Sequence, residues 1–223
     1  MINKNISNNV SPDAYDSPPW WYDIRGFFIL TFSYRDTLWS QTAFFSKNIK
    51  RVHLEGAIGT GTLSYFILIY KKHILKQEDF YFLGLDYAPE MLKGATKKLR
   101  GKNVEIILGD LTKLKYKDDY FDSINLANSF HTIKDIDLAI HELTRVLKPH
   151  GQLATNILLE PKTFGFLDKI SRLINKWGRK KGILYKAYLE SEIYEIINKE
   201  SQLAIESIQT KGNALYLTLI KKG

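Results

Sequence analysis

A repeated strand–turn–helix pattern between Arg51 and Leu158 constrains this chain more than any other feature. Arg51–Glu55 is a short strand-like run that ends in a Gly-rich turn, and Thr62–Lys72 follows with helical spacing. Phe80–Asp86 reads as a second strand, closed by an acid, with a helix from Pro89 to Arg100. Val104–Leu108 is a third strand, ending in Gly109-Asp110. Phe121–Asn125 is a fourth, followed by a helix from Asp135 to Leu147. Lys148-Pro149-His150-Gly151 predicts a turn before a fifth strand, Gln152–Leu158. Such alternation predicts a parallel sheet covered by helices on both faces. The last third differs. Two helices are expected in Phe164–Trp177 and Glu190–Lys199, then strands Leu203–Gln209 and Ala214–Ile220. Lys211-Gly212-Asn213 between those strands is a turn signal, so they form an antiparallel hairpin. The expected fold class is α/β, a single doubly wound seven-stranded sheet.

At 223 residues the chain suits one well-filled core. Met1–Ser17 is Asn/Ser-rich without an apolar centre and reads as a loose arm rather than a secretory signal, leaving residues 18–223 as the domain. No apolar run approaches the roughly 20 residues that span a bilayer. The absence of cysteine excludes disulfides, thiolate metal sites and cysteine nucleophiles. The five His show no metal-ligand spacing, so no metal is expected, and a cytoplasmic location is.

Eleven of the 29 aromatic residues lie between Tyr15 and Phe45. Phe27, Leu30, Tyr34, Leu38, Gln41 and Phe45 share one helical face, and Phe28, Phe32 and Trp39 make a second. A helix apolar on two sides is covered on two sides, which makes residues 18–50 an expected lid over a pocket.

The turn after the first strand reads Glu55-Gly56-Ala57-Ile58-Gly59-Thr60-Gly61. Glycines there let the backbone approach a ligand, although a tight turn without a ligand has the same composition. Three acids add to it: Glu55 ends the first strand, Asp86 the second, and Asp110 follows the third. Ligands of open α/β sheets bind at the carboxyl ends of the strands. Asp86 is placed to accept two ribose hydroxyls, Glu55 to meet a cationic amine, and Asp110 to accept from an adenine amine beside the Leu111 N–H. Three carboxylates repel a pyrophosphate, which argues against a nicotinamide dehydrogenase. Solvated or helix-capping acids are the plainer alternative.

Val52–Gly61 resembles the glycine motif of class I S-adenosylmethionine-dependent methyltransferases. Gly84-Leu85-Asp86-Tyr87-Ala88-Pro89-Glu90-Met91-Leu92 resembles their second motif. Gly109-Asp110-Leu111, Phe121-Asp122 and Leu143–Leu153 resemble later segments, in order and at normal spacing. The resemblance implies a Rossmann-like fold, S-adenosyl-L-methionine as cofactor, and methyl transfer to a small, aromatic or lipophilic acceptor as in the ubiquinone/menaquinone-type branch. It puts Glu55, Gly56, Ala57, Gly59, Gly61, Asp86, Tyr87, Met91, Asp110, Leu111 and Asn128 against the cofactor. Tyr22 and Tyr15, in the N-terminal segment, are candidates to close over it, a core or surface aromatic being the alternative for each. It makes residues 160–200 a helical substrate wall. Two departures stand out: Glu55 replaces the usual Asp, and Ala57 the first Gly. A weakly active or scaffold protein of the same fold is the competing expectation.

Transfer to a sulfonium methyl needs alignment of the nucleophile and exclusion of water more than a dedicated motif. His131, just past the fourth strand, is the candidate general base; a packed, hydrogen-bonded role beneath the site is the alternative. From Pro161 to Lys186 eight cationic residues face one acid, Asp168, a net charge of 8 − 1 = +7. Leu167, Ile170, Ile174 and Trp177 share one face there, with Lys169, Arg172, Lys176 and Arg179 on the others. A buried apolar seam is the default. Peripheral contact of residues 161–186 with an anionic membrane is a second reading. Nucleic acid ranks last, because only Trp177 is nearby for stacking. The sequence leaves the oligomeric state open.

Overall fold

A computed structural model describes residues 17–163 and 165–223. Residues 1–16, Tyr15 among them, and Phe164 lie outside the described residues, and so does the expected arm up to Ser17. The strands are β1 (Val52–Gly56), β2 (Tyr81–Asp86), β3 (Val104–Leu108), β4 (Phe121–Leu126), β5 (Leu147–Leu158), β6 (Leu203–Lys211) and β7 (Ala214–Lys221). The helices are α1 (Pro19–Phe28), α2 (Leu38–Asn48), α3 (Thr62–His73), α4 (Pro89–Lys98), α5 (Ile136–Val146), α6 (Phe166–Lys180) and α7 (Glu190–Lys199).

The strands form one sheet in the order β3-β2-β1-β4-β5-β7-β6. β1 to β5 pair in parallel, while β7 runs antiparallel between β5 and β6. The expected doubly wound sheet with its terminal hairpin is the one observed. Side chains alternate across it. Leu83 and Leu85 pack with Ile140 and Leu143 of α5 and Ile193 and Ile197 of α7. Phe82 faces the other way, with Phe45 of α2, Ile67 of α3 and Ala95 of α4. Each face therefore has its own helical layer.

Three local expectations are corrected. The turn at Lys148–Gly151 is taken up into β5, where the register jumps between the Phe121–Leu147 and Ser123–Gln152 pairs and His150 sits at φ 61°. A left-handed residue accommodates the excess without ending the strand.

The single aromatic helix is instead two helices joined by a π-helix, Ile29–Tyr34. It ends because the Arg35 N–H bonds back to the Leu30 carbonyl with Arg35 at φ 56°. Buried Asp36 then accepts from the Thr37 N–H (2.7 Å) and the Tyr216 hydroxyl. Thr37 caps α2 by accepting from the Ser40 N–H at 3.2 Å.

The third correction concerns α6, whose apolar seam is not its buried face. Asp168, Ser171, Asn175 and Gly178 are buried; of the expected seam, Leu167 and Trp177 are exposed and Ile170 and Ile174 only half-buried, with Phe166 and Leu173 exposed beside them. The reason is what α6 packs on. The Ser33 hydroxyl donates to Asn175 Oδ1 at 2.5 Å, and Ser171 Oγ donates to the Ser33 carbonyl at 3.1 Å. Asn213, in the β6–β7 turn, donates Nδ2 to the same carbonyl at 2.9 Å and its N–H to the Tyr34 carbonyl at 2.7 Å. Gly212 beside it admits no side chain, since a Cβ would lie 2.4 Å from the Tyr34 carbonyl oxygen. A polar floor selects a polar helix face.

Asn213→Ala keeps the backbone bond to Tyr34 but removes the two side-chain bonds of Nδ2, to the Ser33 carbonyl and to Ser171 Oγ (3.2 Å), from a buried site. The expected cost is about 1–2 kcal/mol, a Tm loss of roughly 2–8 °C, read by thermal unfolding.

Candidate functional site

β1 lies where the chain order reverses, with β2 on one side and β4 on the other. Crevices form at such points beyond the carboxyl ends of strands. Here a cavity of about 550 Å³ spans from Asp86 at the end of β2 to Leu158 at the end of β5, under a roof of α1, the π-helix and α6. A smaller recess adjoins it and shares Ala57, Asp86, Tyr87 and Ser129 as wall.

The sequence-expected residues divide between these spaces. Glu55, Ala57, Gly59, Asp86, Tyr87, Met91, Asn128, Tyr22 and His131 line the large cavity. Asp110 and Leu111 line the recess. The three acids thus face two contiguous spaces that meet at Asp86. Gly56 and Gly61 line neither. A Cβ on Gly56 would sit 3.1 Å from the Leu111 side chain, and one on Gly61, at φ 75°, would sit 3.2 Å from the Ala95 backbone. Their smallness serves the packing of the turn on its neighbours.

The turn is fixed to β2. The Ile58 N–H donates to the Leu85 carbonyl at 2.9 Å, and the Gly59 N–H to Asp86 Oδ2 at 2.7 Å. Asp86 Oδ1 accepts from the Ala88 N–H at 3.0 Å. Burial nevertheless pushes the Asp86 carboxyl up to about 6, against the pull of these donors. Tyr22, from α1, packs with Tyr87 and Met91, and burial, with Asp86 next in effect, pushes its hydroxyl up to about 12.

Glu55 is buried and held from below. Asn125 Nδ2 donates to its Oε2 at 3.1 Å, and His53 Nε2 lies 3.5 Å from the same oxygen. Burial lowers the His53 pKa more than Glu55 raises it, so the imidazole is neutral at pH 7. Asn128, at φ 54°, is clamped by Gln41 in two bonds of 2.8 Å, while Asn156 Nδ2 donates to its Oδ1 at 2.7 Å.

At the far end, His131 Nε2 lies 2.5 Å from the Tyr34 hydroxyl, and His131 Nδ1 lies 3.4 Å from the Leu158 nitrogen. Burial lowers the imidazole to about 3, so it is neutral at physiological pH. A backbone N–H can only donate, so Nδ1 accepts and Nε2 donates to the tyrosine oxygen. The tyrosine hydrogen is then available to the cavity. Burial holds the Tyr34 pKa well above its ordinary value, so it stays a hydroxyl.

Sequence reasoning missed several lining or supporting groups: Arg25, Ser129, Asn175, and the strand asparagines Asn125 and Asn156. Arg25 Nη2, Ser129 Oγ and Asn175 Nδ2 are buried with no hydrogen-bond partner among the described residues. Asparagine inside otherwise apolar strands was the legible signal, because a buried amide demands partners.

The chain is similar to known methyltransferases. A family model described as a methyltransferase domain matches residues 57–155. A demethylmenaquinone methyltransferase of Thermotoga maritima is 34% identical over 166 residues, covering 71% of this chain and 68% of that protein. One from Thermus thermophilus is 37% identical over 106 residues, 47% of this chain and 45% of its own length. A solved SAM-dependent methyltransferase of Thermotoga maritima, a possible histamine N-methyltransferase, superposes with a TM-score of 0.64 at 17% identity. It covers 92% of this chain and 97% of its own, and shares the fold.

Ala57 adopts φ 58°, a left-handed conformation that costs a Cβ-bearing residue about 1–2 kcal/mol. Ala57→Gly is expected to raise stability by up to about 1 kcal/mol, a Tm gain of roughly 2–4 °C by calorimetry.

Proposed function

The chain belongs to the class I S-adenosylmethionine-dependent methyltransferases, and from that premise we propose that it methylates a small, lipophilic acceptor bearing an oxygen. One observation carries this reading. A single cavity joins a carboxylate-rich end, at β1 and β2, to an apolar end walled by Leu158, Ile174, Ile183 and Leu184.

The residues at the first end fit the cofactor's chemistry. Buried Arg25 Nη2 and Ser129 Oγ are donors without partners among the described residues, as a carboxylate-bearing, sugar-bearing ligand requires. In this reading Arg25 meets the carboxylate, Glu55 the ammonium and Asp86 the ribose hydroxyls. Asp110 and the Leu111 N–H hold the adenine in the recess, and Tyr22, Tyr87 and Met91 close over the nucleoside. Bound S-adenosylmethionine supplies an electrophilic methyl on a sulfonium, and its neutral leaving group needs no acid. The chain's task is alignment and water exclusion under the 18–50 roof.

At the acceptor end, Asn175 Nδ2 and the Tyr34 hydroxyl are donors facing an apolar wall. His131, neutral and occupied at both nitrogens, fixes the Tyr34 hydroxyl rather than taking a proton itself. The demethylmenaquinone methyltransferases carry their acceptor class in their name, and a lipophilic acceptor here follows that kinship. Contact of residues 161–186 with an anionic lipid surface belongs to the same reading.

The test is a screen of acceptors with labelled cofactor; turnover confined to RNA or protein overturns the proposal. Asn175→Leu is expected to raise KM for an oxygen-bearing acceptor about tenfold with kcat little changed, the loss of one bond to the acceptor worth about 1.4 kcal/mol, while thermal unfolding reads the separate loss of the bond from the Ser33 hydroxyl.

The Asp86 carboxyl titrates near 6, above its ordinary value, so its ionisation costs the ligand-free fold. This group's own contribution to stability is fully present below about pH 4 and is lost as pH rises through 6, opposite in sign to that of the buried neutral His131, which is lost as pH falls toward 3. Hydroxyl donors favour the ionised form. Cofactor affinity by calorimetric titration is therefore expected to rise up to about tenfold between pH 5 and 7 and then level off, and Asp86→Asn to abolish the slope.

A further inference from the structure

Two helices of the roof are inside out. α1 buries no residue completely, and its cavity side carries Tyr22, Asp23 and Arg25. Asp23 accepts from Thr60 and Thr62 and pairs with Lys98 at 2.7 Å. Its outer side carries Trp20, Trp21, Ile24, Phe27 and Phe28, which are 43–63% exposed. The π-helix extends the stripe with exposed Phe32, which stacks on Phe28.

α6 repeats the arrangement. With 3.6 residues per turn, Phe166, Leu173 and Trp177 fall opposite the buried Asp168, Ser171, Asn175 and Gly178. Phe166 is 76% and Leu173 68% exposed. Lys169, Lys176 and Lys180 lie on one flank of that stripe. None of the three forms an ion pair among the described residues, unlike Lys162, Lys186 and Arg179 nearby.

An apolar stripe edged by lysines is what a helix lying in a lipid interface presents: rings enter the acyl boundary, and lysine stems reach back to anionic headgroups. Water alone does not select two such helices, since exposed apolar area of this extent on a soluble protein marks a contact surface. Both helices also wall the cavity: Ile24 and Phe27 of α1 line it while remaining exposed, and Ile174 of α6 lines it as well.

We propose that the outer faces of α1, the π-helix and α6 form one docking surface for an anionic phospholipid bilayer. It turns the cavity mouth toward the lipid from which a lipophilic acceptor is taken. The excess of +7 between Pro161 and Lys186 supplies the charge complement, and the remainder of the chain is nearly neutral at +8 − 7 = +1. Among the described residues no helix is long and apolar enough to cross a membrane, so the contact is peripheral. The proposal rests on the acceptor reading above for its purpose, though not for its geometry.

Three of the four tryptophans, Trp20, Trp21 and Trp177, lie on this face, while Trp39 packs on Tyr70 elsewhere. The test is tryptophan fluorescence and co-sedimentation of the full chain with vesicles of phosphatidylcholine containing 25% phosphatidylglycerol, against phosphatidylcholine alone. The expected result is a blue shift, quenching by brominated acyl chains, and at least tenfold tighter partition to the anionic vesicles that weakens with salt. Leu173→Glu with Trp177→Ser, two exposed residues outside the cavity wall, is expected to cut partition at least tenfold while S-adenosylmethionine binding by calorimetry is unchanged. No partition to either vesicle overturns the proposal. So does equal partition of the double variant, or a lipid-free dimer by light scattering that the double variant dissolves. Loss of S-adenosylmethionine binding in the unaltered chain overturns the cofactor assignments instead, so the two failures are separable.

Discussion

The Ser33 peptide group is where the roof, the wall and the C-terminal hairpin meet. Its carbonyl receives Asn213 and Ser171, and its hydroxyl reaches Asn175. A π-helix ending at Tyr34 exposes carbonyls that a regular helix would use, and inside a protein each must find a donor. The hairpin turn and α6 supply those donors. Having done so, α6 has its polar residues turned inward and no choice about where its apolar ones go. Tyr34, next in sequence, is thereby delivered to His131 at the far end of the cavity.

The sheet was legible because its signals are local. Each strand is a short apolar run with turn chemistry at both ends, and β3 has the bounds read from its residues. The strand-end acids were legible for the same reason: a doubly wound topology fixes which ends face the crevice. What stayed hidden depends on contacts distant in sequence. The spacing from Phe27 to Phe45 is helical on both sides of Arg35, so periodicity runs through a break set by Asp36 and Tyr216. The orientation of α6 was misread by the rule that apolar faces go inward, which fails when the surface beneath is polar. Gly56 and Gly61 carry the ligand-turn signature yet serve packing, since composition does not separate the two uses.

The cavity pairs opposite solutions to one electrostatic problem. At the β1–β2 end, carboxylates are buried, and burial raises the Asp86 pKa against the pull of its backbone donors. At the β5–α6 end, the titratable pair is neutral: burial holds His131 deprotonated and Tyr34 protonated. Positive charge is welcome at one end and uncharged oxygen at the other. In the proposed reading, this polarity gradient within a single chamber orders two different molecules without any barrier between them.

The bond from Asn213 to Ser33 joins residues 180 positions apart. Contacts of such separation are the slowest to be rewarded during folding, because the intervening chain must be organised first. On the ribosome, the sheet can assemble strand by strand from β1 onward. The π-helix cannot settle until residues 203–221 have been synthesised and paired. Until then the aromatic roof has no floor, and the nascent chain carries its most adhesive surface unattended, which makes this the interval when a chaperone matters most.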